Sequence, residues 1–107
     1  MIQIRFQTFE TNSSSCHSLV FLSDDEYNRF KEGLLLFDFD EQTMISVAQA
    51  MSQCNYSSET DFRNHVVDKG IYYSFDGIRR IGEDSRVDRY SLPDGGHANI
   101  ISLDYYC

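Results

Sequence analysis

The sequence has few residues that would break the chain and no long hydrophobic run. It contains one proline and six glycines among 107 residues, which is far from the composition of a disordered chain. The longest uninterrupted hydrophobic runs, residues 19–22 and 34–37, are four residues each, too short for a membrane span or a signal-peptide core. With 41% hydrophobic residues, including eight Phe and seven Tyr, the chain has enough apolar material for a single folded domain over residues 1–107. The order of its strand and helix patterns predicts the α+β class.

Cysteine is scarce and widely spaced. The three cysteines and three histidines form no C-x-x-C or H-x-x-x-H pair of the kind that binds zinc, so we expect neither a metal nor a cofactor. An odd number of cysteines without a secretory leader predicts no disulfide framework and favours the reducing cytoplasm. We expect the thiol of the terminal Cys107 to be exposed.

Positive charge is also in short supply. Nine Lys and Arg against 17 Asp and Glu give a net charge of -8, which disfavours direct binding to nucleic acid or to an anionic membrane. Residues 38–62 contain no Lys or Arg. This acidic window carries five carboxylates, namely Asp38, Asp40, Glu41, Glu59 and Asp61.

Three interpretations of the acidic window stay open. In the first, the window is a solvated face that keeps a small protein soluble. In the second, it is a negative surface that docks on a basic partner such as a nucleic-acid-binding protein. The motif Asp38-Phe39-Asp40-Glu41 also resembles half of a magnesium site, but a lone D-x-D-E is a weak signal. The second interpretation predicts that the five carboxylates contact the partner.

Alternating hydrophobic residues and capping patterns indicate the elements of the first third of the chain. Residues 2–9 and 17–22 have the period of half-buried strands, and a polar turn over 10–15 would join them as an antiparallel hairpin. Ser23 and Glu26 form a capping box, which predicts that a short helix begins there.

The rest of the chain predicts helices in the middle and strands at the end. Residues 34–39 are typical of a strand buried on both faces, and Ser46 and Ser58 each begin a helical pattern. Residues 71–81 predict a hairpin with a turn at Asp76-Gly77, and residues 86–106 a hairpin with a turn at 93–96. We therefore expect an antiparallel sheet with N-terminal and C-terminal hairpins and two to three short helices packed on one face.

The serine-rich segment before the second strand is the most unusual local composition. Its hydroxyl and backbone groups could hold a phosphate, with a histidine as base, which makes a small-molecule or nucleotide site the alternative function. No G-x-S-x-G elbow, P-loop or glycine-rich anion cradle accompanies it, so a structural turn is favoured and no catalytic residue is predicted. The residues of this alternative ligand loop are Asn12, Ser13, Ser14, Ser15 and His17.

The same segment carries a resemblance. Residues 9–19, which read F-E-T-N-S-S-S-C-H-S-L, resemble the opening of small uncharacterised proteins of bacteriophages and mobile elements, where a short strand precedes E-T-N-S-S-S-x-H-S. The resemblance implies a bacterial host cell and a context of anti-CRISPR or other anti-defence inhibitors. It assigns a role to none of the residues.

Composition and resemblance together predict a binding protein rather than an enzyme. The hypothesis is a small acidic inhibitor of phage type that blocks a basic, nucleic-acid-binding surface of a host defence protein such as a CRISPR effector nuclease. A structural phage component is a further alternative. The mildly basic segment over 79–89, set against the acidic window, would also permit a homodimer.

Overall fold

The computed structural model describes the backbone of residues 2–10 and 13–106 and the side chains of residues 16–106. Within these residues the chain forms strands, helices and one turn of 3-10 helix. In chain order they are β1 (Ile2–Glu10), β2 (Ser13–Leu22), α1 (Asp24–Lys31), β3 (Leu35–Asp38), β4 (Thr43–Ser46), α2 (Val47–Gln53), α3 (Glu59–His65), β5 (Tyr72–Tyr73), the 3-10 turn (Ile78–Arg80), β6 (Arg86–Ser91) and β7 (His97–Tyr106).

The strands form two antiparallel sheets. The larger has the order β1-β2-β7-β6 and joins the N-terminal and C-terminal hairpins through the pairing of β2 with β7. The smaller has the order β4-β3-β5. The predicted α+β class and both terminal hairpins are confirmed, while the strands divide between two sheets rather than one.

Strand β3 contributes to both hydrophobic cores of the described residues. Leu35 and Phe37 enter a first core between the larger sheet, α1 and β3, where Phe30, Val20 and Ile101 are fully buried. Leu36 points the other way, into a second core built around α2 and α3. The alternation of side chains along a strand explains why this short segment is apolar on both faces, as the sequence predicted.

Serine side chains begin all three α-helices at the predicted positions. The capping box of α1 is complete, because Ser23 Oγ accepts the N–H of Glu26 at 3.1 Å and Glu26 Oε1 accepts the N–H of Ser23 at 2.9 Å. Ser46 and Ser58 accept from the third residue of α2 and α3. Among the described residues, no helix is long and apolar enough to cross a membrane.

Three local predictions are wrong. Ser13 to Ser15 belong to β2 and pair with Thr8 to Glu10, so they are strand residues rather than a turn. The sequence missed β4, which is only four residues long and continues directly into α2. The predicted return strand after Gly77 is a 3-10 turn instead, because Ile78 is 1% exposed and packs into the first core.

One cysteine also departs from the sequence prediction. Cys16 is buried on the inner side of β2 and is disulfide-bonded, whereas Cys54 is a free thiol in the second core. The spacing of cysteines along the chain predicted no disulfide framework, since spacing does not show which residues strand pairing brings together. The predicted exposure of Cys107 lies outside the described residues.

Candidate functional site

Three carboxylates lie at the turn between β3 and β4, residues 38–42, which we call the acidic turn. Asp38 ends β3 with its side chain nearly buried, and its Oδ1 accepts the N–H of Glu41 at 3.2 Å. This hydrogen bond folds the turn so that Asp40 and Glu41 are exposed. None of the salt bridges between described side chains involves these three carboxylates.

Contacts with β7 hold the acidic turn in place. The Nε2 group of Gln42 donates to the Oη of Tyr105 at 3.2 Å, and the ring of Phe39 meets the ring of Tyr105 edge to face at 5.0 Å between centroids. Tyr105 also hydrogen-bonds Ser18 of β2 at 3.2 Å. One aromatic side chain thus fixes a turn of the smaller sheet against two strands of the larger one, which presents the carboxylates on a rigid support.

The two tyrosines of β5 have raised pKa values, chiefly because they are buried. Burial raises the pKa of Tyr72, and the charges of Cys54, Asp38 and Asp40 raise it further. Burial also raises the pKa of Tyr73, with added contributions from Asp68 and Asp40. Deprotonation of either phenol is disfavoured because carboxylates already occupy its surroundings.

Asp68 is a further acidic residue beside β5, because its backbone N–H donates to the carbonyl of Tyr72, the register partner of Asp38. Its carboxylate accepts the backbone N–H of Ser74 at 2.8 Å and the hydroxyl of the same residue at 3.0 Å. It lies so close to Gly77 that a Cβ there would collide with Oδ1. Asp68 supports the loop after β5 as well as adding charge to the neighbourhood of the acidic turn.

The other two predicted contact residues lie at the opposite end of β3. Glu59 Oε2 pairs with Arg63 Nε at 3.1 Å, and the same arginine donates to the carbonyl of Gly33, just before β3 begins. Asp61 is exposed in the first turn of α3, where a negative charge suits the helix N-terminus. The five carboxylates that are neighbours in sequence thus form two groups in space, and Glu59 already has a cation.

The carboxylates do not form a metal site in the described part of the chain. No group of three or more His, Cys, Asp or Glu side chains there could hold a metal ion. Asp38 directs its carboxylate into the turn backbone rather than outward. The arrangement fits a charged docking surface and does not fit the half magnesium site considered from the D-x-D-E motif.

The alternative ligand loop is divided by the structure. Asn12 lies outside the described residues, and Ser13 to Ser15 are part of the β1-β2 ladder. His17 is 45% exposed, and its Nδ1 lies 3.5 Å from Oδ1 of Asp104 on β7. It lines a shallow depression together with Leu19, Arg86 and Ser102. The histidine and the adjacent Ser18 point to opposite faces of the sheet, and Ser18 is buried.

Sequence reasoning missed the residues that support the acidic turn. The sequence pattern gave Tyr105 no role in supporting a turn, and neither Gln42 nor Asp68 was singled out. Both Gln42 and Asp68 adopt positive φ angles, 52° and 65°, which sequence patterns alone do not reveal for these residue types.

Comparisons with family models, with curated proteins and with solved structures found no match to this chain.

Proposed function

We propose that this protein is a non-enzymatic binding protein of the inhibitor class. Its acidic turn occupies a basic, nucleic-acid-binding surface of a bacterial defence protein, such as an RNA-guided nuclease. The observation that carries this proposal is the clamped turn with Asp38, Asp40 and Glu41, none of which forms a salt bridge with another described residue.

Electrostatics favours a basic partner. The chain carries a net charge of -8, so a positively charged groove attracts it at long range while a nucleic acid repels it. A carboxylate without an internal cation loses no existing ion pair when it meets an arginine or lysine of a partner. The resemblance of residues 9–19 to openings of phage proteins supports a host defence protein as the partner.

The test is inhibition of a purified, guide-loaded nuclease from the CRISPR effector class, with cleavage of a short DNA duplex as the readout. The variant Asp40→Asn with Glu41→Gln removes two exposed charges from the acidic turn. Its matched control is Glu59→Gln with Asp61→Asn, which removes the same charge at the far end of β3.

The turn variant should slow association with the nuclease about tenfold and weaken its salt dependence, because opposed potentials speed encounter. The control variant should stay within about twofold of the wild type, because it lacks the same steering role. An equal loss of association rate in both variants would show that the effect comes from net charge and not from the position of the acidic turn. Absence of inhibition across a panel of such nucleases by the wild-type protein would overturn the proposal.

A further inference from the structure

The C-terminal end of β7 borders a shallow depression that lies outside the acidic turn. The depression has a volume of about 310 Å³, at the lower end of the range for small-ligand sites, which suits one side chain of a partner. Its lining combines aromatic, apolar and acidic residues, namely Ile81, Gly82, Glu83, Asp104, Tyr105 and Tyr106.

The loop over residues 82–85 is fixed against β7 at this depression. The hydroxyl of Ser85, a residue that is 1% exposed, donates to the carbonyl of Asp104 at 3.3 Å and accepts the N–H of Asp104 at 3.0 Å. Gly82 lies so close to the same carbonyl that no side chain fits between them. These contacts hold the exposed Glu83 beside the last residues of β7.

The depression also offers an aromatic ring to a partner. Tyr106 is 82% exposed, and it points to the same side of β7 as Asp104 because successive strand residues alternate between faces. The ring of Tyr105 is instead turned to Phe39 of the acidic turn. A tyrosine ring left in water gains free energy when a partner covers it, which is why tyrosine is enriched at binding hot spots.

The two carboxylates of the depression have no lysine or arginine partner among the described side chains. Glu83 takes part in none of the salt bridges there, and Asp104 faces only His17, at 3.5 Å, which is charged only when protonated. The exposed Asp84 adds a further carboxylate next to Glu83. The depression therefore has a negative potential that attracts a cation.

The basic residues of the neighbouring segments do not line the depression. Arg86 borders Asp104 on the adjoining surface, but its Nε donates to Asp88 at 2.7 Å. Arg79 and Arg80 of the 3-10 turn are exposed and are not part of the lining. Since no Lys or Arg of the described residues lines the depression, its charge is left for a cation of a partner.

We infer that this depression binds an arginine side chain of the basic partner, an inference that rests on the proposed function. A planar guanidinium stacks on an aromatic ring and pairs with carboxylates through a fixed fork of donors, whereas the ammonium group of lysine is a strongly hydrated point charge. Arginine is also a residue that proteins use to recognise the phosphates of nucleic acids.

Tyr105 connects the depression to the acidic turn. It lines the depression, and its hydroxyl accepts a hydrogen bond from Gln42 of the acidic turn. The two sites therefore belong to one continuous docking surface. The acidic turn attracts the basic partner, and the depression holds one of its arginines.

NMR titration of the full chain with a short peptide tests the inference without a nuclease. The peptide is a blocked pentapeptide of glycines with one central arginine, added to about 10 mM because one side chain gives millimolar affinity. It should cause saturable amide shifts confined to residues 81–84 and 104–106. The same peptide with citrulline, an uncharged analogue of arginine, should bind at least about fivefold more weakly, and the lysine peptide should also bind more weakly.

Two exposed substitutions locate the binding site. Tyr106→Ala should raise the dissociation constant of the arginine peptide about two- to fivefold, and Glu83→Gln about two- to threefold. The matched controls are Tyr90→Ala, at a 49% exposed tyrosine of β6, and Glu32→Gln, at an exposed glutamate after α1. Both controls should stay within about 1.5-fold of the wild type, and circular dichroism should show the same fold in all four variants.

The nuclease assay separates this inference from the proposed function. In that assay Tyr106→Ala should speed dissociation of the complex about two- to fivefold and leave the association rate unchanged, because single contacts act mainly on dissociation. A wild-type protein that binds the arginine peptide but inhibits no nuclease would overturn the proposed function and support the arginine site. The inference itself is overturned by an absence of saturable shifts, by equal binding of the citrulline or lysine peptide, or by equal losses in the control variants.

Discussion

The two faces of the larger sheet are built from alternate residues of the same strands, and yet their surroundings differ. On the inner face of β7, Ile101 and Leu103 are 0% and 2% exposed and pack under α1 and β3. On the opposite, outer face, Ile100 is half-buried and belongs to neither core, and none of the described helices covers it. Hydrophobic alternation alone therefore shows that a strand has an apolar side, but not that other elements of the chain cover that side.

The inner face also contains buried polar groups. Asn99 is 1% exposed and donates to the carbonyl of Leu22 at 3.2 Å and to Oδ1 of Asp24 at 2.8 Å. Ser18 hydrogen-bonds Tyr105 in the same layer. The Nδ2 group of Asn99 and the hydroxyl of Ser18 each have a specific hydrogen-bond partner, and these bonds tie β2, β7 and the start of α1 together.

The largest expected effect contrasts adjacent residues of β7. Ile101→Ala removes a fully buried side chain and should lower the free energy of unfolding by about 2–5 kcal/mol. Ile100→Ala on the outer face should cost about 1 kcal/mol or less. Urea unfolding provides both values. Similar losses at the two positions would show that the two faces are covered alike.

The next effect concerns the edge of β7 rather than its faces. A Cβ at Gly82 would lie 1.6 Å from the carbonyl oxygen of Asp104, so Gly82→Ala must displace backbone. We expect a loss of about 1–3 kcal/mol in urea unfolding. Gly96→Ala, whose nearest neighbour is a side-chain oxygen at 3.2 Å, is the control and should cost less. The reverse order would contradict the close approach of this loop to β7.

A smaller effect is expected where the inner face meets the acidic turn. Tyr105→Phe removes the hydrogen bonds to Ser18 and Gln42 and should lower stability by about 1–2 kcal/mol. It should also speed amide hydrogen exchange at residues 40–43, since the turn loses its anchor. Tyr106→Phe is the matched control, because that ring is 82% exposed. Unchanged exchange in Tyr105→Phe would mean that the turn is held by other contacts.

The smallest effect is a pH dependence at the start of α1. The hydrogen bond from Asn99, together with the positive charge of Arg89, lowers the pKa of Asp24 below its ordinary value of 3.8. A carboxylate with a lowered pKa stabilises the folded state above the pKa of the unfolded chain, and this contribution is lost as pH falls through the folded value. Asp24→Asn should therefore flatten the fall of Tm below about pH 4. A slope equal to that of the wild type would contradict this coupling.

Local chemistry made much of the fold predictable. The serine caps at Ser23, Ser46 and Ser58 are short-range hydrogen bonds, so three helix starts were read from neighbouring residues. The C-terminal hairpin followed from its Pro-Asp-Gly-Gly turn. By contrast, β4 was missed and β5 was predicted too long. Strands of four and two residues depend on pairing with β3 and have little hydrophobic pattern of their own.

The candidate site was only partly predictable for the same reason. The five carboxylates were chosen as candidate contact residues because residues 38–62 contain no Lys or Arg. In the structure, Asp38, Asp40 and Glu41 stay together at one turn. It places Glu59 at the other end of β3, because α3 returns along the second core and Arg63 reaches Gly33. The separation of two residues along the chain does not show that α3 turns back in this way.

The sequence by itself determined the α+β class, the helix starts, the terminal hairpins and the acidic character, since these depend on short-range hydrogen bonds, alternation and composition. Only the tertiary structure decided that the strands divide into two sheets and that Cys16 forms a disulfide. It also decided that Tyr105 holds the acidic turn and which side of the larger sheet packs against the first core. Each of these depends on which distant segments pair, and pairing is decided by the whole packed core rather than by any one segment.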